Sequence, residues 1–259
     1  MIRHLYYWWR FLRARRKVQS PDFVESLSPP LPTALTARWM PYGHFIAEVQ
    51  HELPNAVNLL IGVAADLRAW SEVIRELSVP TKVDLLVVFF REKAMLGLCL
   101  PYALRARFAF AAAHLCHQAN KLSQGATWKD NLPVDKYIDF GTANKYGHGW
   151  NTYEAFRVSM KTLNSVSFKE KTRDFRDKFT HRLSPGIEVG LTNLVERNVT
   201  PGGHVSYGIG AAQPLSLAQI ASALDDEVIA AKNVLVAFTK LIDEHAVAIG
   251  KSLEAASSP

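Results

Sequence analysis

Residues 43–77, GHFIAEVQHELPNAVNLLIGVAADLRAWSEVIREL, decide the fold class. Phe45, Val49, Leu53, Val57, Leu60 and Ile61 recur at three- and four-residue steps, and Ala64, Leu67, Trp70, Ile74 and Leu77 continue the stripe. That period belongs to a helix with one apolar face. Pro54 lacks the N–H of a helical residue, so it should kink this helix or divide it in two. Val79-Pro80 should end it.

Toward the C-terminus, residues 83–123 form a second long helical region. It is rich in Ala, Leu and Met, with both faces apolar, as suits the centre of a bundle. Pro101 marks where a pair of helices would meet. Val87-Val88-Phe89-Phe90 alone suggests a strand, but the helix formers after it argue against one. Residues 124–150 look loop-like, and 151–183 return to helix until Ser184-Pro185-Gly186 stops it. Between 187 and 212, alternating apolar residues flank Pro201-Gly202-Gly203, which reads as a β-hairpin or a long loop inserted between helices. From Ser216 to Ile249, the residues Ile220, Leu224, Val228, Ala231, Leu235, Phe238 and Ile242 mark a final helix.

Toward the N-terminus, Ser28-Pro29-Pro30-Leu31-Pro32 excludes helix. Residues 1–19 mix aromatic and cationic side chains. They read either as a terminal helix with packed Tyr and Trp and wet arginines, or as a contact with a membrane surface through 1–17. The expected architecture is therefore all-α, a bundle of about five or six helices with the small insertion near 187–212. The expected parts are an aromatic and basic extension with a Pro-rich linker (1–42), one helical domain (43–250) and a disordered tail (251–259).

An apolar share of 48% and a charged share of 21% exclude global disorder. The formal charge of +6 is concentrated at Arg10, Arg13, Arg15, Arg16 and Lys17, and it suits a nucleic acid or an anionic membrane as partner. Cys99 and Cys116 are too few for a disulfide framework and sit in apolar helix, so the expectation is reduced thiols in a cytoplasmic protein. No uncharged run reaches the roughly 20 residues of a spanning helix. The aromatic run Leu5 to Trp9 has no small-residue cleavage site after it.

The segment with chemical content is Thr172-Arg173-Asp174-Phe175-Arg176-Asp177-Lys178-Phe179-Thr180-His181-Arg182. Within it, Arg176-Asp177-Lys178-Phe179-Thr180-His181 has the form Arg, polar residue, three residues, His. It lies late in a helical chain and just before a helix stop. In motif and layout, residues 45–249 resemble the HEPN superfamily. The resemblance implies a helical homodimer in which two copies of the motif form one cleft. It further implies RNA binding or metal-independent RNA cleavage, and a role as a toxin paired with an antitoxin, or as a defence effector.

The chemistry needs no cofactor. The 2′-hydroxyl of RNA is an internal nucleophile beside the phosphate. His181 would serve as base or acid, and Arg176 would stabilise charge on the phosphate through its planar fork. Asp177 would orient one of them, with Arg173, Lys178 and Arg182 as further phosphate contacts. Five positions on a helix are about 140° apart in projection, so Arg176 and His181 do not share a face; the resemblance answers this by dimerisation. The same cations also fit a plain alternative. They gather at a helix C-terminus because the helix dipole favours them there, alternating with Asp174 and Asp177 on a solvated face. The chain would then be a non-catalytic helical module that holds an anionic partner.

Other groups carry less. His114, Cys116 and His117 sit on an apolar helix without the paired loop spacings of a zinc site, so no metal is expected. His148 and His204 lie in glycine-rich loops that follow no strand with phosphate-loop spacing. Tyr137, Tyr146 and Trp150 would either stack on bases or cover the loop.

Overall fold

The computed structural model describes residues 2–192, 194–210 and 212–257; Met1 of the expected extension and residues 258–259 of the expected tail lie outside them. The chain is all-α with one inserted hairpin. The helices are α1 (Ile2–Arg15), α2 (Met40–Ile74), α3 (Val79–Leu85), α4 (Arg91–Ala119), the single turn α5 (Lys121–Gln124), α6 (Phe140–Gly147), α7 (Tyr153–Met160), α8 (Val166–Lys171), α9 (Phe175–His181) and α10 (Leu217–Ser257). Strands β1 (Val195–Val199) and β2 (Val205–Ile209) precede α10.

Several elements differ from the sequence reading. Neither proline divides its helix: Pro54 lies inside α2 and Pro101 inside α4. Pro54 cannot donate to the carbonyl of Gln50, four residues earlier, and that carbonyl accepts the Leu27 N–H instead, at 3.0 Å. The Pro-rich segment thus supplies the bond that the proline removes. Asn58 holds the same segment by accepting from Val24 N at 2.8 Å and donating to Val24 O at 2.9 Å. Val87–Phe90 belongs to a π-helical turn, Leu86–Phe90, that joins α3 to α4. The loop-like stretch 124–150 contains α6, started by a capping box: the Asp139 carboxylate accepts from Thr142 N at 2.8 Å, and Thr142 Oγ1 accepts from Asp139 N. The helical stretch 151–183 is three short helices. At the other end α10 continues through residues 251–257, where a disordered tail is expected.

The chain also divides where one domain over 43–250 is expected. It forms two compact units, one of Met1–Asp22, Leu60–Leu100 and Ser165–Glu227, the other of Phe23–Leu59, Pro101–Asn164 and Val228–Pro259. The division falls inside α2, α4 and α10.

The first unit is built around an aromatic stack. Phe11 of α1 is 3% exposed and lies 4.7 Å from the Trp70 ring, which in turn stacks on Phe89 at 5.1 Å. Arg15 Nε donates to Asp66 Oδ1 at 2.9 Å, and His4 Nε2 lies 2.8 Å from Asp84 Oδ2. Residues 1–15 are therefore an integral helix of this unit. Only part of its aromatic set packs, since Tyr6 and Trp9 stay exposed. Gly97 of α4 lets two helices come close: a Cβ there would lie 2.8 Å from Leu224 Cδ1 and 3.0 Å from Val63 Cγ1. The hairpin pairs Val195 with Ile209, Arg197 with Tyr207 and Val199 with Val205 across one face, and the turn uses Gly203 at φ +79°. Apart from Arg197 that face is apolar, and it is open, with Ile209 96% exposed.

The second unit packs Phe238 of α10 against Phe108 of α4 and Phe156 of α7, each at 5.8 Å. Its loop after α6 is tied to α10 by the Glu244 carboxylate, which accepts from Asn151 N at 3.0 Å and Thr152 N at 2.9 Å.

Phe11 is the one fully packed ring of α1, so Phe11→Ala should cost about 3–5 kcal/mol. Urea unfolding followed by circular dichroism measures this, and a loss below about 1 kcal/mol would show that α1 is not held by the stack.

Candidate functional site

The motif segment is shaped by a bend between two short helices. Ser165 caps α8 by accepting from Phe168 N at 3.2 Å. Thr172, buried, ends it, its hydroxyl donating to the Phe168 carbonyl at 2.8 Å. Arg173 and Asp174 then adopt left-handed backbone, φ 54° and 53°, a conformation that costs residues with a Cβ about 1–2 kcal/mol each. Two bonds hold it. Asp174 N donates to Lys169 O at 2.6 Å, and the Arg173 guanidinium donates to the Gln213 carbonyl. Phe175, 2% exposed, then anchors the start of α9.

This bend sorts the predicted site residues. Arg173 is occupied by a backbone carbonyl. Arg176 is half-buried and lies near the Cys99 thiol. Burial raises the pKa of that thiol, and the Arg176 charge opposes the rise. Asp177 and Lys178 are half-buried, whereas His181 and Arg182 are exposed at the end of α9. Among the described residues Asp177 makes no hydrogen bond to His181. Arg176 and His181 thus flank Phe175 on opposite sides of a seven-residue helix.

His114, His117, His245 and Cys116, all in the second unit, are held by ring packing and hydrogen bonds. In the second unit Tyr42 Oη donates to His245 Nδ1 at 3.1 Å, Cys116 Sγ lies 3.9 Å from His245 Nε2, and the Trp150 ring packs at 4.2 Å. Tyr42, Cys116 and His245 are fully buried. Burial drives the His245 pKa down to about 3 and pushes the Cys116 thiol and the Tyr42 phenol up, so all three are neutral. A thiol held protonated is a poor nucleophile and a poor metal ligand. His117 turns away to Asp130 at 3.0 Å, and His114 stacks on Phe45 and Phe110. Among the described residues no three His, Cys, Asp or Glu side chains gather as a metal site requires, and no helix is long and apolar enough to cross a membrane. Of the candidate stacking residues, Tyr146 is buried and donates to Asn131, Trp150 donates to Asn120 Oδ1 at 3.0 Å, and Tyr137 alone is well exposed.

The sequence reading flags the cations of residues 1–17 but not their setting. In the first unit they line a groove of about 1040 Å³. Tyr6, Trp9, Arg10 and Arg13 of α1, with Arg16 and Lys17 of the turn after it, form one side, and Arg68, Glu72 and Val73 of α2 complete it. Arg68 is ion-paired with Asp225, and Glu72 with Arg75. No signal in residues 60–75 taken alone would have joined them to α1.

No protein-family model matches the chain, and no curated protein or solved structure matches it.

His245 generates a pH prediction. Its folded pKa lies below the unfolded value of about 6.5, so between these values only the unfolded chain holds the proton. The stability is complete above about pH 6.5 and falls as the pH drops toward 3, by about 1.4 kcal/mol per pH unit for this one group. Urea unfolding at a series of pH values should show this slope. His245→Gln, which keeps an acceptor for Tyr42, should flatten it; an unchanged slope would contradict the assignment.

Proposed function

We propose that the chain binds RNA through the cationic end of α9 and cleaves it, without metal, only as a pair of chains. The observation that supports this reading is the exposure of His181 and Arg182 at the end of α9, against the half-burial of Arg176 on the other flank. The exposed imidazole and guanidinium can meet a phosphate. A catalytic set needs Arg176 or its equivalent beside an imidazole, and one copy of a helix with these residues about 140° apart does not supply that. Two copies related by a two-fold axis would place the motifs face to face, as the resemblance to the HEPN superfamily implies. The open apolar face of the hairpin, with Val195, Tyr207 and Ile209 exposed, offers such a pair a contact surface.

In that arrangement the 2′-oxygen attacks the adjacent phosphorus as the P–O5′ bond breaks, which leaves a 2′,3′-cyclic phosphate and a free 5′-hydroxyl; one His181 takes the 2′ proton, the His181 of the other copy gives a proton to the leaving 5′-oxygen, and a guanidinium stabilises the charge on the phosphorane. The second reading is a non-catalytic helical module that holds an anionic partner on the same face. The placing of Arg176 and His181 on different flanks of α9 favours it, because an anion can be held without the two converging.

Single-stranded RNA incubated with the purified chain in chelator separates the two. Cleavage should appear, and His181→Ala should slow it by about 100-fold or more, the usual share of a general acid or base. Binding without cleavage would establish the second reading. Absence of RNA binding would overturn the first reading.

A further inference from the structure

We infer that the α1 groove of the first unit is a binding groove for single-stranded nucleic acid, in which α1 holds phosphates and stacks a base. The inference deepens the RNA reading and rests on it for the choice of RNA, but the groove is a different surface from the end of α9.

The groove is cationic beyond its own needs. Among the described residues, Arg10, Arg13, Arg16 and Lys17 have no carboxylate partner. The acid that lines the groove, Glu72, is already paired with Arg75, and Arg68 with Asp225. Four cations are therefore left to an outside anion. The aromatic side chains are wet as well: Trp9 is 66% exposed and Tyr6 59%. An indole held open to solvent beside guanidinium groups is what base stacking uses, and a groove that tracks a phosphate chain needs the same cations.

The arrangement of these residues chooses between the two anionic polymers or surfaces that a basic aromatic helix can meet. Tyr6, Trp9 and Arg13 follow one another at three- and four-residue steps on α1, and Arg16 continues the step in the turn after it, so aromatic and cationic side chains share one face. A helix that lies on a membrane sinks one face into the acyl boundary, and that face is apolar with the cations opposite. Here the cations share the face of the aromatics and follow them toward the C-terminal end, and the surface is concave with α2 as its far wall. A single strand laid along that wall can set bases on Tyr6 and Trp9 and phosphates on Arg13 and Arg16, whereas a flat bilayer does not fit a concave surface.

The test measures fluorescence anisotropy of a labelled oligouridylate with the full chain at a series of salt concentrations. Arg13→Glu/Arg16→Glu changes two exposed side chains and should leave the circular dichroism spectrum intact. It should weaken binding at least tenfold and lower the salt slope by about 1.4, at about 0.7 per phosphate contact of a single strand. Trp9→Ala should weaken binding several-fold with the slope kept. Lys251→Glu, distant in sequence and exposed, serves as the control for bulk charge. If only His181→Ala and Arg182→Ala weaken binding, the groove proposal fails and the α9 reading stands. If only the α1 variants do, the groove stands and the α9 reading fails. If the unmodified chain binds no RNA but binds phosphatidylglycerol vesicles through Trp9, the surface is a membrane contact and the proposal is overturned.

Discussion

A short helix buries a single stripe, and the residue at the centre of that stripe decides what the remaining faces offer. In α1 the residue is Phe11, held against Trp70. Once it is buried, Tyr6, Trp9 and Arg13, with Arg16 just after the helix, are left exposed along the groove. In α9 the residue is Phe175. Its burial turns Arg176 toward Cys99 on one flank and leaves His181 on the other. The cationic surfaces of the first unit follow from these two rings.

The bend before α9 shows how much of this is held by backbone geometry. Two consecutive left-handed residues with side chains persist only where neighbours outweigh their cost. The neighbours here are the Lys169 and Gln213 carbonyls and the buried Thr172 and Phe175. Arg173 is spent on that task. A residue that reads in sequence as a phosphate contact is in the structure a brace for the bend. In the second unit the opposite economy holds. There Tyr42, Cys116 and His245 are reactive side-chain types that burial keeps neutral and shields from chemistry.

The long elements were legible because their apolar residues keep one period for many turns. That is true of α2 and α10, and of the apolar flanks of the hairpin. The short elements were not, for local reasons. Helix α6 is announced by Asp139 and Thr142 three residues apart, a signal outweighed by the glycines around it. The breaks at Asn164 and at Arg173-Asp174 are left-handed turns without glycine, so nothing in composition marks them. Pro54 misleads because its missing bond is replaced by Leu27, which is far away in sequence. The motif itself was legible as a string of residues. Its geometry was not, because the facing of Arg176 and His181 depends on where α9 begins, and that is set by the same unmarked bend.

The central claim is that the first unit carries two separate proposed RNA-binding surfaces, the α1 groove and the end of α9. Photo-cross-linking of the full chain to a 4-thiouridine RNA, followed by peptide mapping, tests it most directly. Adducts on peptides containing Trp9 and on those containing His181 are the expected result. Adducts confined to Phe23–Leu59, Pro101–Asn164 or Val228–Pro259 would contradict it.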